Sequence, residues 1–579
     1  MGGGGTPDAE GKGCLPLGLR SPLPRSPPMT VSKHPHPPTF PWFGSVAAVV
    51  LAFGCGPKTS PPIDVSSQPV SDDATVAAPE PSGSGSGSAV AVAVDDTGPE
   101  TAPKSDVAVG DEPQTIDDIA SVNWSGLIGR RVRLNGTWTV VDTFDLARRG
   151  RFKVARERLF VPTALIDPND DDPAGTASAG GRFVARVQEA QKANDTATVY
   201  LDDGSTDQDV FPPRLIPGLG GDVATVRIGA TVRDVVGTVQ RLDRQIAIVP
   251  DGPVTLADND RPPKPDLSDA DLTVASFNVL NYFTTLDDGR NNARGADNEA
   301  ELERQRAKTV AAIRALDADV IGLMEIENRP EAEQDLVDSL NAAEGSEVYA
   351  GCGVPDGFEE TAGGGDAIRV GFLYRSDRVK TVGPPEAIDS RFFVIARTPI
   401  VQTFRPVDGG RPVTVIVNHF KSKGGSSEAD AANKDRGDGQ GNYNAARRAQ
   451  AIEVAEYVER RRADDPGARV LVIGDLNAYQ QEDPIDALRA SGLVDLHEQH
   501  PAGDTPNYSF VYYGQSGSLD HAFASPALAE DVTGVVTWHI NADEPRFNDY
   551  NTEYNPPAMF REDPFRSSDH DPVLIGIRG

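Results

Sequence analysis

A chain of 579 residues is too long for one ordinary domain and long enough to bury a sizeable core. Its formal charge of −32 excludes a protein that coats nucleic acid through its overall charge, so any contact with phosphates has to be local. Three cysteines, Cys14, Cys55 and Cys352, stand far apart in dissimilar contexts, which argues against a disulfide framework and a cysteine-based zinc site.

Residues 1–28 are rich in Gly and Pro without apolar periodicity, and Met29 opens a better export signal. The apolar run at 45–54 is shorter than the ~20 residues that a spanning helix needs. It ends in Ala52-Phe53-Gly54-Cys55, which resembles a bacterial lipobox with Cys55 as the lipid-bearing residue. The other reading is a non-lipidated secretory signal with a coincidental cysteine. Either way, residues 1–55 are a targeting segment and stand outside the fold. Residues 56–113 run through Pro, Ser, Gly, Ala and Asp, with a Ser-Gly repeat at 82–88, and are expected to be a disordered, flexible tether.

From 114 to 262 the pattern changes to short β-rich runs at 132–141, 182–187, 196–201, 223–226, 231–239 and 246–249, a spacing that favours a small β barrel or sandwich. Leu201-Asp-Asp-Gly-Ser205, Val226-Arg-Ile-Gly229 and Val235-Val-Gly237 resemble the oligonucleotide-fold-like region that precedes the catalytic domain of bacterial extracellular nucleases. Within this region, residues 130–158 carry nine cations against three carboxylates. Arg130, Arg131, Arg149 and Arg151 are candidate substrate-binding residues, and Trp138, Phe144, Phe152 and Phe160 are interleaved with them. Cations for phosphates and flat rings for bases are what a single-strand groove needs. The alternative is aromatics in a core and arginines on a solvated face.

From 270 to 579 strands and helices alternate, which predicts a layered α/β domain. Helical spacing covers 299–316, 331–343 and 444–461, and buried strands are expected at 272–277, 320–324, 368–374 and 413–417. The apolar run Val470-Leu-Val-Ile473 ends abruptly in Gly474-Asp475-Leu476-Asn477, as a strand does when it delivers polar groups to the edge of a sheet. Other strands finish in the same way: Asn278 follows Val274-Ala-Ser-Phe, Glu325 follows Val320-Ile-Gly-Leu-Met, His419 follows Val415-Ile-Val-Asn, and Asp520 follows Ser518-Leu519. The chain ends shortly after Ser567-Ser-Asp569-His570. That set is what a metal-assisted phosphodiesterase requires: oxygen ligands for a hard divalent cation and imidazoles that titrate near neutrality.

The strings Ser276-Phe-Asn-Val-Leu-Asn-Tyr-Phe283, Asn292-Ala-Arg-Gly-Ala296, Gly322-Leu-Met-Glu-Ile-Glu-Asn328, Val417-Asn-His-Phe-Lys-Ser-Lys423, Gly437-Asp-Gly-Gln-Gly441, Gly474-Asp-Leu-Asn477, Leu519-Asp-His521 and Ser568-Asp-His-Asp-Pro572 occur in this order. Together they resemble the endonuclease/exonuclease/phosphatase superfamily in its bacterial extracellular-nuclease branch. The resemblance implies a four-layered α/β sandwich with the site at one edge of two packed sheets. It implies Glu325, with Asn278 beside it and Asp569 in support, for a divalent metal, Mg²⁺ first and Mn²⁺ or Ca²⁺ as alternatives. Periodicity alone does not separate Glu325 from Glu327, which would share a face if the strand ran on. The resemblance further implies His570 as the base for the attacking water with Asp520 orienting its ring, His419 assisting the leaving oxygen, and Asp475 and Asn477 positioning nucleophile and phosphate. Arg447 resembles a phosphate-contacting arginine, with a plain helix-surface charge as its other reading, and Asp366 is a candidate to orient His419. One departure stands out: related nucleases often carry cysteines after the Lys-Ser-Lys string and before the helix at 444, and here Gly424, Gly425, Asn442 and Tyr443 occupy those places.

The expectation is a secreted or surface-anchored bacterial lipoprotein, monomeric, that hydrolyses DNA, with RNA second and no protein partner. A phosphatase or phospholipid phosphodiesterase of the same superfamily is the alternative, since the chemistry is shared and loops set specificity. A non-catalytic adhesin that binds extracellular DNA is the third reading, disfavoured because each catalytic-type position is filled.

Overall fold

Five of the first seven strands close on themselves. In the computed structural model, which describes residues 112–169, 182–242, 245–425, 430–503 and 505–579, the N-terminal strands are β1 (Gln114–Ile116), β2 (Arg131–Asp142), β3 (Arg151–Ala155), β4 (Leu159–Phe160), β5 (Val199–Asp202), β6 (Thr231–Leu242) and β7 (Gln245–Pro250). Hydrogen bonds link β2, β3, β5, β7 and β6 in that order, and β6 returns to β2; β5 and β7 run parallel. The result is a closed five-stranded barrel, which removes exposed sheet edges. Trp138, Val140, Phe152, Val154, Leu201, Val239 and Ile248 fill its interior. The expectations for Cys55, the targeting segment and residues 56–111 of the tether lie outside the described residues.

Two of the β-rich runs are not strands. Residues 182–187 begin helix α2 (Arg182–Thr196), because Val184 and Val187 lie one turn apart on its buried side and strong helix formers follow at 189–193. The run at 223–226 makes only one isolated bridge, to Leu219. Conversely, the charged segment 151–155 is a barrel strand whose cations alternate with Phe152 and Val154. The loop between β2 and β3 carries a single helical turn, α1 (Leu146–Arg149).

The rest of the chain forms two stacked sheets. One orders β10 (Tyr349–Gly351), β11 (Ile368–Arg375), β9 (Val320–Glu327), β8 (Leu272–Tyr282), β21 (Val573–Ile577) and β20 (Val532–Thr537). The other orders β12 (Val379–Ala387), β13 (Ile400–Pro406), β14 (Val413–His419), β15 (Val470–Asp475), β19 (Asp520–Ala524) and β16 (Val494–Asp495). Alternation along each strand decides the layers. Val415, Val417, Leu471 and Ile473 meet Val274, Val320, Met324 and Phe372 between the sheets, while Ile416, Val470 and Val472 face outward. Helices α3 (Glu299–Leu316) and α4 (Pro330–Glu344) cover the first sheet; α5 (Asn444–Asp464) and α6 (Asp483–Ala490) cover the second. This is the four-layered α/β sandwich.

Barrel and sandwich are joined by buried ion pairs. Arg227 reaches Glu544 at 2.5 Å and Asp543 at 3.4 Å, Arg158 holds Asp543 at 2.9 Å, and Arg261 grips both oxygens of Glu544. Burial would raise both carboxyls, but the arginines outweigh it and hold Asp543 and Glu544 below the usual carboxylate range.

Candidate active site

Strand register builds half of the site. His419 pairs with Asp475 across the parallel β14–β15 ladder, and Asp475 pairs with Asp520 across the antiparallel β15–β19 ladder. Paired residues project on the same face, so three polar side chains from distant segments stand in one row. Gly474 permits the approach: its φ is +134°, and a Cβ there would lie 2.0 Å from the Asn418 carbonyl oxygen.

The other sheet supplies Glu325 by breaking its own regularity. Register shifts interrupt β9 on both sides, and Glu325 takes φ +62°, a left-handed conformation uncommon for a residue with a side chain. The bulge resolves the ambiguity in this strand. Glu325 turns to the site and accepts from Asn278 Nδ2 at 3.0 Å and the Asn281 amide at 3.1 Å. Glu327 instead caps the next loop, accepting from the Thr284 amide and hydroxyl and from the Thr285 amide.

Two imidazoles flank Asp475. His419 Nε2 lies 3.5 Å from Asp475 Oδ2 and 3.8 Å from Glu325 Oε1; His570 Nε2 lies 3.9 Å from the same Asp475 oxygen. Behind His570, Asp520 Oδ2 meets Nδ1 at 2.8 Å. Their electrostatics diverge. Burial pushes His419 well below its ordinary value, aided by Arg397, His570 and Lys421. Burial also acts on His570, but Asp520, Asp475 and Asp569 outweigh it and raise its pKa well above the ordinary value. The two rings therefore titrate apart, the separation that acid–base pairs need.

The carboxylates Glu325 and Asp475 also sit high. Burial and then Asp569 push Glu325 up, and burial pushes Asp475 to about 7. A divalent cation suits this arrangement, because it would relieve like charges packed out of water and because oxygens are the donors a hard ion takes. Ligand atoms of Glu325, His419 and Asp475 lie within 4.8 Å of one another. Asn278 spends its amide nitrogen on Glu325, and its oxygen accepts from the Leu280 amide, so it fixes the ligand's orientation. Asn477 lies beneath the row, its amide nitrogen donating to the Phe420 carbonyl and its backbone N–H to Asp475 Oδ1.

Three expectations need correction. Arg447 is fully buried and donates to the carbonyls of Gln440, Lys421 and Asn442, so it cannot reach a phosphate. Its fork instead ties both ends of the loop that lacks the cysteines, with Tyr443 Oη bonding the Gly425 carbonyl beside it. Asp366 faces Arg294 at 3.6 Å and Arg397 at 3.9 Å and makes no bond to His419, whose buried Nδ1 has no hydrogen-bond partner among the described residues. Most of the basic stretch is spent on the fold: Arg131 pairs with Asp251, Arg151 is buried against Asp145, Lys153 pairs with Asp142, and Arg156 bonds the carbonyls of Asp117, Asn135 and Thr137. Trp138 and Phe152 are core.

Part of that stretch, paired residues included, faces a cleft of about 1500 Å³. Phe144, Arg149, Arg151 and Lys153 line its barrel side, while Asn281, Arg294, Lys421, Phe510 and Asp569 line the catalytic side. Arg130 and Arg131 are not among its lining residues. Sequence reasoning missed Arg397, buried beside Asp366 with its guanidinium on the Phe420 carbonyl, and Ser509, whose hydroxyl donates to Asp520 at 2.6 Å. Arg294 lay inside a matched string and was legible there; Ser509 sits outside every string.

Paired imidazoles, clustered carboxylates and a carboxylate-backed histidine at one edge of an α/β sandwich define a phosphoester-hydrolysing centre. The chain belongs to the endonuclease/exonuclease/phosphatase family, whose model matches residues 275–570; its members are mostly metal-dependent phosphoester hydrolases. Similar solved structures include an endonuclease/exonuclease/phosphatase family protein from Bacteroides thetaiotaomicron (18% identity, 52% of this chain and 96% of that one, TM-score 0.34). A mannosyl-6-phosphatase of the same organism is similar at 18% identity (53% of this chain, 100% of that one, TM-score 0.35), and the human Nocturnin catalytic domain at 15% (52% and 93%, TM-score 0.33). No curated protein matches the chain.

Proposed function

We propose that this protein is a Mg²⁺-dependent nuclease that takes DNA, exported from a bacterial cell and held at its surface through Cys55. The observation that carries the reading is the shared cleft. At about 1500 Å³ it exceeds the roughly 300–1,000 Å³ of a small-molecule pocket. The β2–β3 loop and Gln245 at the start of β7 line it, and the corresponding loops of a five-stranded oligonucleotide-type barrel are its ligand-binding elements. Phe144, Tyr512 and Tyr513 stand 63%, 41% and 48% exposed along its wall, a costly display of apolar surface unless bases stack there.

In this reading Glu325, Asp475 and Asp569 hold the ion, with Asn278 orienting Glu325; when bound, the ion neutralises charge on the phosphate. His570, oriented by Asp520, takes the proton of the attacking water, and His419 assists the leaving oxygen. The test offers circular DNA, linear DNA, RNA, a phospholipid and a phosphomonoester to the full chain, with and without chelator. DNA cleavage that chelator stops is the expected result. Turnover confined to the monoester or the phospholipid would replace the nuclease with one of its superfamily alternatives. For the anchor, Cys55→Ser should shift the protein from the membrane fraction to the soluble one, and unchanged fractionation would dismiss it.

A further inference from the structure

A short hairpin connects the barrel chain to the catalytic histidine. Strands β17 (Phe510–Tyr512) and β18 (Gln515–Gly517) turn through Tyr513 and Gly514, both at positive φ, as a two-residue hairpin loop requires. A two-stranded hairpin is marginal in water, and a catalytic constellation has to be held to about 0.5 Å. The third strand comes from the barrel chain: β4 pairs with β18, Leu159 opposite Gln515 and Phe160 opposite Ser516, and the Val161 amide donates to the Ser516 carbonyl at 2.9 Å. Arg158 completes the attachment. Its guanidinium donates to Ser516 Oγ at 3.0 Å and lies over the Tyr508 ring at 4.3 Å.

The opposite side of the hairpin touches both members of the dyad. The Phe510 ring packs on the His570 imidazole, centroids 4.7 Å apart. The Ser509 hydroxyl donates to Asp520 Oδ2, the oxygen that also meets His570 Nδ1. The Ser509 carbonyl accepts from the Asp571 amide at 2.8 Å, next to His570. Tyr508 stacks on His539 at 3.9 Å, and His539 Nδ1 bonds Asp571 at 2.8 Å.

We infer that the barrel chain positions the catalytic dyad through this hairpin: Phe510 is a positioning residue for His570, and Arg158 and β4 hold it in place. The inference rests on the hydrolase reading of the site and adds that the barrel contributes to turnover as well as to substrate capture. A carboxylate can fix one edge of an imidazole; the ring's tilt about that bond is set by what packs on its face, and here that is Phe510.

The test uses the full chain and bis(4-nitrophenyl) phosphate, a diester too small to span the cleft. Phe510→Leu and Arg158→Met should each lower kcat about tenfold, within the ~10²-fold that a misplacement of 1 Å costs, with KM nearly unchanged. Phe510→Tyr, which keeps the ring, should restore most of the loss. Unchanged kcat, or a loss confined to KM, would overturn the inference. If Arg158→Met does not fold, Arg158→Lys keeps the charge facing Asp543 while losing the fork, and should show the same kcat loss. If the wild type hydrolyses neither this diester nor a monoester, the functional reading fails. The positioning claim is then decided by the His570 ring proton resonances, which Phe510 shifts by its ring current. Arg158→Lys has to move them, and resonances left in place would sink the claim.

Discussion

The strand ends at 419, 475 and 520 and the basic stretch at 130–158 are both dense in polar groups, yet they use them in opposite ways. At the strand ends, register brings His419, Asp475 and Asp520 side by side, and their principal neighbours are one another and His570. Along 130–158 Arg131, Arg151, Lys153, Arg156 and Arg158 each meet a carboxylate or a carbonyl of the fold, and the stretch builds a barrel wall. The sign of the neighbours separates the two cases. A cation set beside a carboxylate or carbonyl of the fold is consumed by it, whereas the buried carboxylates at the sheet edge crowd one another and are left to a ligand.

The sharpest way to break that contrast is to remove the central ligand. Glu325→Gln keeps volume and the Asn278 contact while deleting the charge, and should reduce turnover to the level that chelator leaves. Calorimetric titration with Mg²⁺ should show the matching loss of binding. Full activity at saturating Mg²⁺ would remove Glu325 from the site.

The joint between barrel and sandwich comes next in size. A barrel read from sequence as a separate module would be expected to come off cleanly. Glu544 is buried without exposure and depends on Arg227 and Arg261, so deleting the barrel strands a carboxylate in the interior. Arg227→Met alone should destabilise by about 3–5 kcal/mol, the range for breaking a buried pair from one side. A loss of less than a tenth of the wild-type unfolding free energy would show that water reaches Glu544 and that the bodies separate freely.

His570→Ala should cost on the order of 10²-fold or more in kcat, as loss of a general base does. The pH dependence carries more information. A base has to be unprotonated, and the neighbouring carboxylates raise His570, so activity should climb with pH along a limb displaced above ~6.5. Asp520→Asn removes the nearest raising charge; the limb should then move to lower pH while kcat falls. A limb that stays in place, or moves upward, assigns it to another group.

Much of this site could be read from the chain because its determinants are local. An apolar run that stops at Gly474-Asp475 announces a strand end, and the same event recurs at His419; Asn278 and Glu325 mark the polar turn of β8 and β9, which run on to Tyr282 and Glu327, and Asp520 opens β19 rather than closing a strand. Periodicity left Glu325 and Glu327 unseparated and only the resemblance chose Glu325, since the geometry depends on a bulge that two neighbouring strands impose. Arg447 misled for a related reason: an arginine on a helix next to a loop looks the same whether it faces solvent or caps that loop, and only the carbonyls at 421, 440 and 442, brought round by tertiary folding, decide. Helix α2 was lost to a window too short to show its period.

The smallest predicted effects separate the two faces of the barrel. Arg149 and Phe144 line the cleft, on a loop whose partner across the gap is the catalytic edge. Arg130 and Arg131 belong to the same basic stretch but lie outside the cleft lining, and Arg131 is paired with Asp251. If the cleft carries the polymer, Phe144→Ala should raise KM for single-stranded DNA by roughly 1–3 kcal/mol of lost stacking, and Arg149→Ala should flatten the salt dependence of KM by about one phosphate contact. Arg130→Ala and Arg131→Ala should change neither. Because the whole chain is strongly acidic, added salt also relieves repulsion between DNA and protein, so the comparison holds only between variants across one salt series. Equal slopes for Arg149→Ala and Arg130→Ala would mean that proximity to the catalytic edge gives the barrel's cations no special part in holding substrate, and that its role is confined to the joint.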